Sequence, residues 1–224
     1  MSLPEGPLPP PPGNDDNEAN VAGRHVAPPA AGFGQLWRKE LSLTIANGPG
    51  AVDLMSYWKQ HLHQIWPQTG DLYLPHRGIS EGDLLGIDLG VGPVKLSTGV
   101  VVIESNDTAF TLLSPEGHMF AGWNRFSTSD ILEGTRAAVT IEMRASDPLY
   151  ELGLSFGGHR AEERFWAEML WNLAERFGQR PKVRLTRRRL DKNRQWKAAG
   201  NIWQNAFIRT MIRRTGRVLG MGKA

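Results

Sequence analysis

The chain has 224 residues, of which 40% are hydrophobic and eight are tryptophan, so one domain of ordinary size with an apolar core is expected. It contains no cysteine, which excludes disulfides and thiolate metal sites. The net charge of +3 is unevenly distributed along the chain. Residues 181–224 contain thirteen Lys or Arg and one acidic residue (+12), whereas residues 1–180 contain thirteen Lys or Arg and twenty-two acidic residues (−9). Such a basic segment is expected to meet a polyanion or the chain's own acidic body.

Residues 1–34 are predicted to form a disordered arm. The run Pro9–Pro12 is followed by a polar, acidic stretch, and such a segment buries too little apolar surface to offset its ordering entropy. We interpret it as a solubilising tail rather than a polyproline II ligand. No secretory leader is recognisable at the start, and the longest aliphatic run, residues 100–103, is too short to span a membrane. A cytoplasmic protein is therefore predicted.

A compact unit is predicted over residues 35–178. Strand-like residues 37–45 lead into a helix over residues 51–66, whose buried face is marked by apolar residues at steps of three and four. These residues are Met55, Trp58, Leu62 and Ile65. Four or five strand-like runs follow without an intervening helix, and in the last of them apolar residues 139, 141 and 143 alternate with polar ones.

A long amphipathic helix over residues 161–177 is predicted to close this unit. Its apolar stripe consists of Phe165, Trp166, Met169, Leu170, Leu173 and Phe177. Burying each large side chain contributes roughly 1.5–3 kcal/mol, so the stripe is expected to lie on the concave face of the sheet. Glu162 and Glu163 are assigned to the solvent-facing side of the helix.

The basic extension, residues 179–224, is predicted to be partly helical around residues 201–214. Three interpretations stay open. It could bind nucleic acid through phosphates, with Trp196 and Trp203 stacking on bases. It could bind an anionic membrane surface. Alternatively, its helix could dock on the acidic body of the same chain or on a second copy, giving a homodimer.

The order of strand, helix, antiparallel strands and long C-terminal helix resembles the helix-grip fold of the SRPBCC (START-like, Bet v 1-like) superfamily. The resemblance lies in residues 43–65, 82–98 and 161–177, and the run Ser114-Pro115-Glu116-Gly117-His118, with Gly122, Arg125 and Phe126, is similar to uncharacterised members. It covers about two-thirds of the chain. It implies an α+β fold in which a curved antiparallel sheet is closed by a long C-terminal helix around a cavity for lipids, hormones, quinones or polyketides. Cyclase or lyase activity is implied by the resemblance alone.

No catalytic constellation is identifiable. Residues 153–157 match the nucleophile-elbow motif G-x-S-x-G, but the upstream strands are predicted to be antiparallel and the only His after Ser155 is His159. A glycine-rich loop before the closing helix is the preferred interpretation. His61 and His63 lie two residues apart on a helix and so do not converge on one metal ion. No metal is therefore predicted. The glycines near residue 90 lack the spacing of a dinucleotide-binding fingerprint, so no cofactor is predicted either.

The predicted function is the binding of a hydrophobic or amphipathic small molecule, or a lipid, between the sheet and the C-terminal helix. The predicted ligand-binding residues are Trp58, Phe110, Trp123, Arg125, Ile141, Met143, Trp166, Met169 and Leu173. Trp123 and Arg125 reach the cavity only if Phe126 faces away from it, a choice that the sequence leaves open. The alternative is an interaction protein with a filled core, which works through residues 182–217.

Overall fold

The computed structural model describes residues 3–75, 77–91 and 94–218, which are built around one curved antiparallel sheet. The strands are β1 (Leu36–Ile45), β2 (Gly70–Tyr73), β3 (Leu84–Val91), β4 (Val94–Asn106), β5 (Ala109–Leu113), β6 (Phe120–Ile131), β7 (Gly134–Ala145) and β8 (Arg184–Asp191). Their order across the sheet is β2-β3-β4-β5-β6-β7-β1-β8. The predicted α+β class, with a long helix closing the sheet, is confirmed.

Three helices cover one face of the sheet, which we call the inner face: α2 (Ala51–Gln60), α3 (Leu62–Ile65) and α5 (His159–Glu175). The stripe predicted for the first helix is fully buried there, although His61 divides that helix into α2 and α3. Pro67 follows directly, and a proline terminates a helix because it lacks an N–H donor. Among the described residues, no helix is long and apolar enough to cross a membrane.

The strands turn alternate residues toward this inner face. Val139, Ile141 and Met143 of β7 are buried in the main core, as their alternation predicts. β4 is a single long strand through Gly99, which stays in the ladder opposite Gly86 of β3. Of the glycine-rich run near residue 90, Gly92 and Pro93 lie outside the described residues.

The N-terminal arm, predicted to be disordered, is instead ordered from residue 3 onward and crosses the opposite, outer face of the sheet. It contains the helix α1 (Asp15–Val21), which begins with a capping box formed by Asn14 and Asn17. The Asn17 amide nitrogen donates to the carbonyl oxygens of Ile87 (3.0 Å) and Thr98 (2.8 Å). Composition underestimated the order of this segment because buried amide side chains, rather than many apolar ones, attach it to the strands.

Two glycines make room for the arm on the outer face. Gly86 and Gly99 are direct partners across β3 and β4. A Cβ atom on Gly86 would lie 1.9 Å from the Pro12 carbonyl oxygen, and one on Gly99 would lie 3.2 Å from Val21. The polyproline run therefore packs closely against β3 and β4 at the point where the two paired glycines have no side chains. Leu8 and Val21 complete a second, smaller apolar cluster there.

The basic extension is divided between two places in the fold. Its first part forms β8, which pairs antiparallel with β1 at the edge of the sheet. Its last part forms α6 (Ala206–Val218), which contacts β4 and α1 on the outer face. Arg214 and Arg217 form ion pairs with the buried Asp16 at 3.0 and 3.2 Å. The arginines of α6 thus meet acidic residues of the same chain.

The G-x-S-x-G motif lies in a kinked helical connection. A short helix, α4 (Pro148–Gly153), is joined to α5 by a π-helical turn over Leu154–Gly158, in which Gly157 adopts a φ of 109°. The predicted glycine-rich loop is reduced to a kink between α4 and α5, where Phe156 and Gly157 have non-helical backbone angles. A nucleophile elbow requires a strand before the serine. Here helix α4 precedes Ser155, whose hydroxyl donates to the Glu151 carbonyl oxygen at 3.0 Å.

Candidate functional site

Seven of the nine predicted ligand-binding residues come together in the main core between the sheet and α5. They are Trp58, Phe110, Ile141, Met143, Trp166, Met169 and Leu173. The aromatic rings contact one another directly, since the Trp58 ring lies edge-on to Phe110 (6.0 Å between centroids) and Phe126 (5.6 Å), and Phe126 lies 5.6 Å from Trp166. These side chains are buried and pack against one another in the region that was predicted to hold the ligand.

Trp123 and Arg125 lie on the outer face of the sheet, not with the other seven. Phe126 is fully buried in the main core, so period-two alternation along β6 turns residues 123 and 125 the other way. Trp123 packs against the smaller apolar cluster, and Arg125 pairs with Glu104 of β4. Their predicted place in an inner cavity was wrong because one core residue decides the face for the whole strand.

A buried charged network lies at the N-terminal end of α5. Lys39 of β1 is 1% exposed, and its Nζ atom lies 2.5 Å from Glu162 Oε2 and 3.1 Å from Glu163 Oε1. Arg187 of β8 donates to Glu163 Oε2 at 3.1 Å. The assignment of Glu162 and Glu163 to the solvent-facing side was wrong. The buried stripe of α5, read backward from Trp166 at helical spacing, reaches both residues.

Burial changes the proton affinities in this network. Desolvation raises the pKa of Glu162, and the neighbouring Lys39 opposes that shift. His159, whose ring lies 5.0 Å from Trp37, has its pKa lowered to about 4 by burial and then by Lys39. Clusters of shifted groups are candidate functional sites, but structural ion-pair networks shift pKa values too. Here the network fixes α5 to β1 and to the edge strand β8.

A cleft lies at the other end of the molecule, between α3 and β2. We call it the α3–β2 cleft. Its volume is about 420 Å³. Leu72 and Leu74 on its floor also pack against the main core, whereas Gln60, His63 and Tyr73 supply polar groups. The arm closes one side with Pro12 and Gly13. None of the nine predicted residues lines this cleft, because β2 is a four-residue strand that the sequence did not reveal.

Comparison with known proteins identifies the fold. The di-domain ARO/CYC StfQ from the steffimycin biosynthetic pathway is similar at 15% identity and a TM-score of 0.50, over 65% of this chain and 53% of that one. The chain has the helix-grip fold. It spans about half the length of StfQ. Ara h 8.0201 (8% identity, TM-score 0.46, 63% and 97% covered) and major latex-like protein 151 from Panax ginseng (11%, 0.40, 64% and 98%) are also similar.

The sequence comparisons cover less of the chain than the structural comparison does. The profile of DUF6212, a family of unknown function, matches residues 79–175, which is less than half of this helix-grip chain. No curated protein matches the sequence. The matched segment begins just before β3 and ends with α5, so it leaves out the arm, β1, α2, β8 and α6.

One buried histidine of this helix-grip protein predicts a pH response. His118, before β6, is 7% exposed, and its Nδ1 atom accepts a hydrogen bond from the Phe120 N–H at 3.0 Å. Burial lowers its pKa from 6.5 to about 4. Between pH 6.5 and pH 4 the unfolded chain therefore binds more protons than the folded chain. The free energy of unfolding has its full value above pH 6.5 and falls by at most about 1.36 kcal/mol per pH unit as the pH is lowered through this window.

Replacing His118 with asparagine is therefore expected to weaken the acid dependence of stability. The amide oxygen of asparagine can accept the Phe120 N–H hydrogen bond, but it does not titrate. Urea unfolding of both proteins at pH 7 and pH 4.5 measures the difference, with His63→Asn as an exposed control. An equal loss of unfolding free energy in parent and His118→Asn would contradict this role.

Proposed function

We propose that this helix-grip protein binds an amphipathic small molecule in the α3–β2 cleft. The observation that carries the proposal is the cleft itself, which joins an apolar floor to a polar rim. Its volume of about 420 Å³ falls in the range of roughly 300–1,000 Å³ that is usual for small-molecule sites. The chemistry predicted for the ligand is retained, while its place moves from the filled interior to the edge of the sheet.

The lining favours a ligand with one apolar and one polar end. Leu72 and Leu74 are half-buried and continuous with the main core, so they offer apolar contact. The Gln60 amide and the His63 imidazole, both exposed, offer hydrogen bonds at the rim. The phenol of Tyr73 is already engaged with Asp88, at 3.2 Å. A hydroxyl or carboxylate next to a short apolar body would match this arrangement.

A buried donor lies close to the start of β2, the strand that carries Leu72 and Tyr73 of the cleft. The indole N–H of Trp66, a residue that is 6% exposed, has no acceptor among the described residues. A Cβ atom on Gly70, at the start of β2, would lie 3.2 Å from this nitrogen. Leaving a buried donor unpaired costs roughly 1–3 kcal/mol. We propose that a ligand extending from the cleft along β2 to Gly70 supplies the missing acceptor.

Filling the mouth of the cleft tests the proposal. Gln60→Trp is expected to weaken binding of the apolar fluorophore 1-anilinonaphthalene-8-sulfonate by at least about tenfold, because the indole occupies the rim without disturbing the core. Gln64→Trp is the matched control, since Gln64 is also exposed on the adjacent turn but does not line the cleft. Equal affinity in the parent and both variants would place any bound probe elsewhere and remove the proposal.

Native mass spectrometry of the purified full chain, followed by organic extraction, addresses the natural ligand. A stoichiometric amphipathic companion that is lost from Gln60→Trp and retained in Gln64→Trp is the expected result. A companion retained equally in both variants would argue for a site in the main core instead. That outcome would require the aromatic rings around Trp58 to separate.

An interaction through residues 182–217 stays a prediction, with an anionic membrane surface, nucleic acid or a second copy as its partner. What supports it is the exposed surface of β8, where Arg184 and Arg188 have no ionic partner among the described residues, together with Trp196 and Trp203, which are 75% and 86% exposed. The arginines of α6 are instead engaged by the arm, since Arg213 donates to the Ala19 carbonyl oxygen and Arg214 pairs with Asp16.

A further inference from the structure

A second cleft lies on the outer face of the sheet, on the opposite side from α5. It crosses β7, β1 and β8 and has a volume of about 290 Å³. The side chains that line it on this face are Arg38, Glu40, Thr140, Thr186 and Arg188. We call it the outer cleft. It is independent of the α3–β2 cleft, which lies beyond the opposite edge of the same sheet.

The charges around the outer cleft are not balanced within the chain. Arg38 and Arg188 are direct partners across β1 and β8, and like charges directly opposite one another destabilise a strand pair. On the inner face, the neighbouring like-charge pair of Lys39 and Arg187 is compensated by Glu162 and Glu163. On the outer face Arg38 has Glu142 as a partner, whereas Arg188 has none among the described residues.

The remaining polar groups of the outer cleft are mostly donors. The hydroxyls of Thr140 and Thr186 make no hydrogen bond to the described residues, and both residues lie directly opposite Glu40, in the row next to the arginine pair. The Glu40 carboxylate also lines the cleft, but Arg136 neutralises it from 2.6 Å. Guanidinium groups bind phosphate oxygens through charge-assisted and often bidentate hydrogen bonds. Two arginines and two hydroxyls therefore form a set of donors suited to a tetrahedral oxyanion.

We propose that the outer cleft binds the phosphate group of a small molecule, held by Arg188 and Arg38 with the hydroxyls of Thr140 and Thr186. The anion supplies the counter-charge that Arg188 lacks among the described residues, since Arg38 is already paired with Glu142. The volume of the outer cleft is just below the range that is usual for drug-sized ligands. The cleft therefore accommodates a phosphate group together with only a small organic group attached to it. A bound phosphate also bridges β1 to β8 and stabilises the last strand of the sheet.

Thermal unfolding and titration calorimetry of the full chain test this site. Inorganic phosphate and glycerol phosphate are compared with chloride at equal ionic strength, so that screening is constant. Saturable binding with a higher unfolding temperature is expected in the parent, and Arg188→Gln should weaken the affinity by at least about tenfold. Arg184→Gln is the matched control, since Arg184 is exposed on the same strand and face but outside the cleft.

A second readout does not depend on the ligand. Without phosphate, Arg188→Gln should unfold at the same temperature as the parent or higher, because it relieves the repulsion with Arg38. Equal phosphate effects in the parent and Arg188→Gln would overturn the proposal. The proposal would also be overturned if neither phosphate compound bound, while a single-stranded oligonucleotide or phosphatidylserine vesicles bound and lost affinity equally in Arg184→Gln and Arg188→Gln. Those results would assign β8 to an extended polyanion instead.

Discussion

Replacing Lys39 with methionine is expected to lower the free energy of unfolding by about 3–5 kcal/mol, because the buried Glu162 loses its cation and Glu163 keeps only Arg187. Lys39 is 1% exposed, and Glu162 and Glu163 are 9% and 7% exposed, so water does not replace the lost charge. Methionine has a similar length and keeps most of the packing volume. Urea unfolding at pH 7 measures the change, with the slope checked for two-state behaviour.

The charge of the network, rather than its shape, is tested by a compensated variant. Combining Lys39→Met with Glu162→Leu and Glu163→Gln removes the buried charges together, and most of the lost stability should return. Lys59→Met is a control, because Lys59 carries the same charge on the less buried surface of α2, where its Nζ atom donates to the Asn106 carbonyl oxygen. A loss below about 1 kcal/mol for Lys39→Met would show that the network is hydrated in solution.

Deleting residues 1–22 is expected to remove about 5 kcal/mol or more of stability, a large part of what a domain of this size has. The deletion removes Leu8 and Val21 from the second apolar cluster, each contributing roughly 1.5–3 kcal/mol. It also removes Asn17 and Asn20, whose amides donate to β3 and β4, and Asp16, which holds α6. Chemical denaturation of the shortened and full chains measures the difference.

A point variant separates the arm's specific contacts from the effect of a large deletion. Asn17→Ala should cost about 2–4 kcal/mol, because the carbonyl oxygens of Ile87 and Thr98 lose their donor and the capping box is broken. Glu18→Ala is the matched control, since Glu18 is exposed on the same helix. If both the deletion and Asn17→Ala left the unfolding midpoint unchanged, the arm would be free in solution, as composition alone predicts.

Local patterns gave much of the fold correctly. The buried stripe of α2 and α3 and the alternation in β7 depend only on the helical and strand periods, which neighbouring residues set. The same periods predicted seven residues that do share the main core. They failed for β8, because a run of arginines does not alternate between apolar and polar residues. That segment is a strand because β1 offers it a free edge.

The two candidate sites could not be predicted from local sequence patterns. Each combines residues that are distant in the chain, such as Pro12 with Leu74 in the α3–β2 cleft and Arg38 with Arg188 in the outer cleft. No local pattern specifies such a meeting, since it depends on which strand edges and loops become neighbours. The one local signal that pointed to an unexpected contact was the presence of glycine at both 86 and 99, where the arm approaches the sheet.

By itself, the sequence determined the order of strand, helix, further strands and closing helix, the buried stripe of the closing helix and the concentration of positive charge at the C-terminal end, whereas the helix-grip fold was implied by the resemblance. These features depend on local periodicity and composition. The tertiary structure alone decided which face of β6 is buried, that Lys39 neutralises Glu162 and Glu163, and that the arm is ordered. The face of β6 follows from the burial of Phe126 in the main core. The other two outcomes follow from the burial of polar groups, and a buried polar group is stable only when folding brings it a partner that the sequence does not place beside it.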